Sequence, residues 1–161
     1  MSDTVQFQLR NPVHFLALGF GSGLIKPAPG TWGTFAAVPV FLGMVQFLPT
    51  AQLGYAVMLL VTFLLGVYVC GQTARDVGVH DHGSIVWDEF VGYFVTMALV
   101  PASWLNLLLG FVLFRVLDIA KPWPIKLFDK HVHGGLGIMI DDVLAGVIAA
   151  IALYFMQPYL P

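Results

Sequence analysis

Charge is scarce in this chain, and the scarcity sorts it before any motif is read. Only 10% of the 161 residues are Asp, Glu, Lys or Arg, against 58% hydrophobic, and mean hydropathy is +0.85. Soluble domains carry about a quarter charged residues, so the composition is that of a polytopic membrane protein. There is no basic excess, the net charge being -2, and no arginine-rich run, which argues against nucleic acid as a partner. The single cysteine, Cys70, excludes an internal disulfide. The N-terminus lacks a charged start followed by an apolar core and a small-residue cleavage site, so no removable signal peptide is expected. Repeats, low-complexity runs and interdomain linkers are also missing, and the expectation is one membrane-embedded domain over residues 1–161.

What is present is a series of apolar segments separated by polar, Gly- and Pro-rich stretches. Pro12 opens Val13 to Leu18, too brief to cross a bilayer. Gly19 to Gly33 holds five glycines and two prolines and reads as a loop. Thr31 is placed to cap the first long apolar segment, Trp32 to Leu48, which Pro39 is expected to kink. Pro49-Thr50-Ala51-Gln52 turns the chain, and Leu53 to Cys70 runs back. After the polar stretch Gly71 to Ser84, Ile85 to Leu117 is apolar for 33 residues except for Asp88 and Glu89. One helix of that length would reach about 50 Å, well beyond a hydrocarbon core of about 30 Å. Pro101-Ala102-Ser103 divides it into Ile85 to Val100 and Trp104 to Leu117, with Ser103 capping the second. Both halves are short for spanning, and a helical hairpin dipping into the bilayer would accommodate them. A polar stretch, Asp118 to Asp142, leads to a last helix, Val143 to Tyr159, whose Ala145/Ala149 and Gly146/Ala150 pairs offer small-residue packing faces. The expected fold is all-α, a polytopic helical bundle of about five apolar segments, the third and fourth short.

Five segments put the Gly-rich loop, residues 71–89 and residues 115–142 on one side of the bilayer. All seven basic residues (Arg10, Lys26, Arg75, Arg115, Lys121, Lys126, Lys130) and all nine acidic ones then share that side. By the positive-inside rule it is cytoplasmic.

Three acidic groups converge there: Asp88-Glu89, Asp118 and Asp141-Asp142. Ionised groups at the edge of hydrocarbon are costly and normally face a cavity, a partner or an ion. Paired carboxylates suit a hard cation such as Mg²⁺, which takes oxygen ligands; equally, Asp141 and Asp142 could serve the N-terminal dipole of a helix. Neighbours on a helix diverge by about 100°, so one of each adjacent pair is expected to lead and the other to support it. Arg115, Asp118 and Lys121, three apart, share one side of a helix end, as a phosphate-binding group or as a structural ion pair. The Gly-rich loop could offer backbone amides near Gly21 and Thr31, and the Lys26 ammonium, to an anion. It is neither a Walker motif nor a dinucleotide fingerprint. His80, His82, His131 and His133 lack zinc spacing and read as surface loop residues; His14 reads as interfacial, and Cys70 as a structural thiol.

Four segments, GFGSGLIKPAPGTWGT (19–34), VHDHGSIVWDEFVG (79–92), FRVLDIAKPWPI (114–125) and GGLGIMIDDVLAG (134–146), closely resemble the phosphatidylglycerophosphatase A family, and the match extends over nearly the whole chain. The resemblance implies a multi-pass enzyme of the bacterial inner membrane, its active site facing the cytoplasm. It implies Mg²⁺-dependent removal of the terminal phosphate of phosphatidylglycerophosphate to give phosphatidylglycerol. On this reading Glu89, Asp142 and Asp88 hold the metal. Asp118, with Asp88 and Asp141, forms the catalytic group, Asp118 as proton acceptor or nucleophile. Gly21, Lys26, Thr31, Arg115 and Lys121 bind substrate. The sequence has no Cys-x5-Arg phosphatase loop and no Asp-x-Asp pair. A small ion transporter or a non-catalytic membrane subunit is the rival reading; a transporter would place acids deep within several helices, whereas these crowd the ends.

Overall fold

A computed structural model describes residues 6–47 and 52–160, with the side chains of 128–130 excepted. The end of the first expected segment at Leu48, and the turn over 49–51, lie outside the described residues. Every regular element among the described residues is helical.

Helix α1 (Pro12–Ala17) starts on two sequence signals, Pro12 at its first position and an Asn11 side chain that accepts from the Val13 amide at 2.9 Å. The chain then doubles back through a left-handed turn at Gly19, Phe20 and Gly21 and a short 3-10 turn, Ser22–Leu24. Helix α2 (Pro29–Phe47) follows. It begins two residues before the expected cap: Pro29 supplies the pre-set φ of a first helical position, and Thr31 lies inside the first turn.

Helix α3 (Gln52–Val77) continues a full seven residues past Cys70, where a loop was expected. Polar residues at helical spacing sustain it: Arg75 donates to Gln72 at 2.7 Å and Gln72 to Asp76 at 2.7 Å. Gly78, at φ +70, then ends it. His14 is buried, its Nε2 3.0 Å from Asp76 Oδ2, and this pair fastens α1 to the end of α3.

Helix α4 (Trp87–Thr96) is at most about 15 Å long, yet nine of its ten residues are buried. It is the hub of the bundle, packed on α2, α3, α5 and α7. A 3-10 turn, Met97–Leu99, and the Pro101 bend lead into α5 (Trp104–Ala120), capped by Ser103 Oγ, which accepts from Asn106 N at 3.2 Å. Helices α4 and α5 form an antiparallel hairpin: Tyr93 donates to the Leu107 carbonyl, and Gly92 abuts the Phe114 ring. A short α6 (Ile125–His131) precedes α7 (Gly134–Met156).

The start of α7 is the largest departure from expectation, nine residues before Val143. Glycines are poor helix formers, so Gly134-Gly135-Leu136-Gly137 reads as loop. Packing overrides the propensity. A Cβ on Gly135 would lie 1.9 Å from the Val67 carbonyl oxygen, so α7 crosses α3 backbone to backbone and only glycine fits. Farther along, the expected small faces are used: Ala145, Gly146, Ala149 and Ala150 are all buried, Gly146 against the Gly92 carbonyl of α4.

Among the described residues, three helices are long and apolar enough to cross a membrane: α2, α3, and α7 with its 3-10 extension to Tyr159. Their outer faces are apolar, as in the α3 stripe of Leu53, Val57, Leu60, Leu64 and Tyr68. Helices α4 and α5 are shorter. Helices α2, α3, α4, α5 and α7 run in alternating directions. Gly30, Asp88, Arg115 and Gly135 therefore gather at one end, and Tyr55, Phe94, Asn106 and Gln157 at the other. The far end is closed by neutral bonds, a reciprocal amide pair between Asn106 and Gln157 at 3.2 and 2.9 Å.

Candidate active site

The acidic residues come together as the fold dictates. The first turn of α4 supplies Asp88 and Glu89, and α7 supplies Asp142. One carboxylate oxygen from each lies within 4.8 Å of the others. All three residues are at most 9% exposed. Asp88 and Glu89 thus face one point together, contrary to the expectation that one would lead.

Asp141 and Asp142 do diverge. Asp142 joins the cluster, while Asp141 turns to Lys121, Nζ to Oδ2 at 2.5 Å. Because α7 begins at Gly134, these residues lie about 12 Å along the helix. A terminal dipole acts within the first turn, so helix capping does not account for them.

The last turn of α5 closes another side. Arg115 reaches Asp118, three residues on, and its Nη1 stands 3.6 Å from Glu89 Oε1. The Asp118 carboxyl neighbours that of Asp142. Lys121 ends α5 in the left-handed conformation, φ +41, which turns its stem back toward α7. Both cations are ion-paired here, as the structural reading of these residues expects.

Two features point to a cationic visitor. Five carboxylates, Asp88, Glu89, Asp118, Asp141 and Asp142, share a small volume with two cations, Arg115 and Lys121. In addition Asp88 Oδ1, Glu89 Oε2 and Asp142 Oδ2 are buried without a hydrogen-bond partner. Buried polar atoms are nearly always satisfied, and charged ones are costly otherwise. Oxygen-only donors with unused lone pairs, one from each of three side chains, fit a hard divalent cation.

The Gly-rich loop contributes differently from expectation. The Gly21 amide donates to the Leu18 carbonyl at 3.0 Å and the Thr31 amide to that of Ala28 at 3.0 Å. Neither is a spare donor for an anion. Lys26 is exposed in the turn leading into α2, and Thr31 is half-buried. The loop residue that meets the site is Gly30, which sequence reasoning passed over. A Cβ there would stand 2.1 Å from Glu89 Oε1 and 3.0 Å from both terminal nitrogens of Arg115. The first turn of α2, where amides lack intrahelical partners, is thus laid directly over the Glu89–Arg115 pair. The sequence signal was a glycine just after Pro29, where any side chain would have served helix formation better.

The remaining motifs stay outside. Among the described residues no histidine joins the carboxylate group: the His80 ring accepts from the Gly134 amide, and that of His82 from Ser84. Cys70 is buried and free, with the Asp88 amide against its sulfur. Trp87, also unremarked in the sequence, pins α4 by donating to the Thr62 carbonyl at 3.1 Å and stacking on Phe90.

Fold and site define an all-helical protein with membrane-length helices and a buried acid centre at one end of the bundle. Residues 15–157 match the PgpA family, phosphatidylglycerophosphatase A. The chain is 53% identical over 157 residues to phosphatidylglycerophosphatase A of Escherichia coli, covering 97% of this chain and 90% of that protein. It is 52% identical over 156 residues to phosphatidylglycerophosphatase A of Haemophilus influenzae, covering 94% and 93%. No solved structure matches. The chain belongs to the phosphatidylglycerophosphatase A family and is a phosphatase.

Proposed function

We propose that the protein hydrolyses the terminal phosphate monoester of phosphatidylglycerophosphate to give phosphatidylglycerol, in the phospholipid synthesis of a bacterial inner membrane. The names of its close relatives support the substrate. The observation that carries the chemistry is the Asp88–Glu89–Asp142 cluster with its three unpartnered buried oxygens. Mg²⁺ is the proposed cofactor, and Glu89, Asp142 and Asp88 would hold it. Bound there, it would supply positive charge to the phosphoryl oxygens and to the attacking water.

The protein's own groups do the rest. Arg115, aligned by Glu89 and Asp118, presents its forked donors to the phosphoryl oxygens, and Lys121 adds a second cation. Asp118 accepts the proton of the water whose oxygen attacks phosphorus; the phosphorus–glycerol oxygen bond breaks, and the leaving oxygen takes a proton from water. Asp141 holds the flank by fixing Lys121. The phosphate arrives at headgroup level, so the tails need not leave the bilayer. In this reading α2, α3, the α4–α5 hairpin and α7 are five membrane segments of one domain. The end rich in Lys and Arg, with the site, faces the cytoplasm.

The test is phosphate release from phosphatidylglycerophosphate by purified protein in detergent, with Mg²⁺ and with chelator, beside phosphatidic acid. Chelator-sensitive release is expected, faster from phosphatidylglycerophosphate. Glu89→Ala and Asp142→Ala should abolish turnover and also the rise in unfolding temperature that Mg²⁺ gives the unaltered protein. Wild-type activity in both variants would dismiss the site. No release from either lipid by folded protein would dismiss the function.

A further inference from the structure

The bundle has a second feature that the hydrolysis itself does not use, an apolar groove of about 240 Å³ on its side. Leu59, Leu60 and Phe63 of α3, Val91 and Val95 of α4, and Val143 of α7 line it. Its lining is almost wholly apolar, and it opens outward past Leu60, which is 57% exposed on the α3 face that forms part of the apolar belt.

The groove lies within a helical turn of the acid centre. Val143 follows Asp142 directly, and Asp88, Val91 and Val95, spaced three and four apart, fall along one stripe of α4. On α3, Gly66 packs against Trp87 and Met139, and Gly71 against Gly135 at the site end. Leu59 to Phe63 therefore lie one to two turns farther from that end. The groove starts level with the carboxylates and descends toward the middle of the bundle. On the opposite side the centre is closed by α2, whose Gly30 touches Glu89 and Arg115.

We propose that this groove receives one acyl chain of the lipid substrate, so that the phosphate reaches the carboxylates from the side, between α3 and α7; the proposal rests on the lipid phosphatase reading above. The occupant follows from the substrate's chemistry, since a phosphate monoester lipid held at the acids must send its chains toward hydrocarbon, and this apolar groove begins one turn below Asp88 on α4 and next to Asp142 on α7. Lipid tails are as apolar as the groove, so moving a chain into it gains little affinity. Its effect is to orient the headgroup, where a misplacement of about 1 Å can cost about a hundredfold.

The groove can be filled without touching a charged residue. Leu60→Trp and Val143→Phe are expected to lower kcat/KM about tenfold for phosphatidylglycerophosphate with sixteen-carbon chains. They should leave it unchanged for the same headgroup carrying two-carbon chains. Val61→Trp, on the exposed face of α3 but outside the groove, should change neither. Equal losses on both substrates, or none on either in protein of unaltered unfolding temperature, would overturn the proposal. A second readout does not depend on turnover. A phosphatidic acid with a photoactivatable diazirine midway along one chain should label peptides containing residues 59–63 and 91–95, and Leu60→Trp should abolish that labelling. Labelling spread evenly over the outer faces of α2 and α5 would refute the groove even if hydrolysis is normal. Failure of the unaltered protein to hydrolyse either substrate, with labelling intact, would instead count against the phosphatase reading.

Discussion

Replacing Gly30 by alanine separates the stability of this fold from the geometry of its site. The new Cβ would begin 2.1 Å from Glu89 Oε1, where ordinary contact starts at 3.4 Å. The carboxylate must therefore retreat by about 1.3 Å, and the Arg115 fork, 3.0 Å away, must shift with it. Both are the far ends of flexible side chains, so the backbone need not move. Alanine also favours a helix over glycine by about 1 kcal/mol, and Gly30 sits in the first turn of α2 at no left-handed angle. Stability should be held or slightly raised. Activity should not survive as well: a displacement of about 1 Å at catalytic groups costs about a hundredfold, close to 3 kcal/mol of barrier. The assay is kcat/KM for phosphate release from phosphatidylglycerophosphate with saturating Mg²⁺, beside thermal unfolding of the same samples. Undiminished activity would refute the placement of α2 over Glu89. A parallel collapse of activity and unfolding temperature would show Gly30 to be a packing residue and no more.

Two further outcomes are expected. Gly135→Ala brings a Cβ against the Val67 carbonyl, which is backbone and cannot yield; a loss of about 2 kcal/mol or more is expected, read as a lowered denaturation midpoint or poor recovery of folded protein. Lys121→Met removes the ammonium 2.5 Å from Asp141, whose side chain is 7% exposed, and should destabilise by about 1–2 kcal/mol. Adding Asp141→Asn should recover most of that in a double-mutant cycle, and additive losses would show the pair to be uncoupled.

The apolar segments, the Ser103 cap, the α4–α5 turn and the small faces of α7 are legible in the sequence because each rests on local chemistry or periodicity. The meeting of the acidic motifs is legible too, since segments of alternating direction return Asp88, Glu89 and Asp142 to one end. What escaped reading is set by contacts between distant residues. The glycines opening α7 look like a loop until α3 is laid against Gly135, and Asp141 and Asp142 look like a cap until that extra length is known. Gly30 lies 59 residues from Glu89 in the chain, and its meaning exists only in the meeting of α2 with α4. The amides of Gly21 and Thr31 were spent on the loop's own turns, which glycine content alone does not reveal.

Helix α4 is enclosed by its neighbours, and its closest packing is with α7, some 45 residues later. Synthesis runs from the N-terminus, so Asp88 and Glu89 leave the ribosome well before Asp142 exists to complete their cluster. During that interval the short acidic helix lacks its closest packing partner, and the three carboxylates cannot gather. Assembly of the last helix is therefore the step at which the acid cluster is completed.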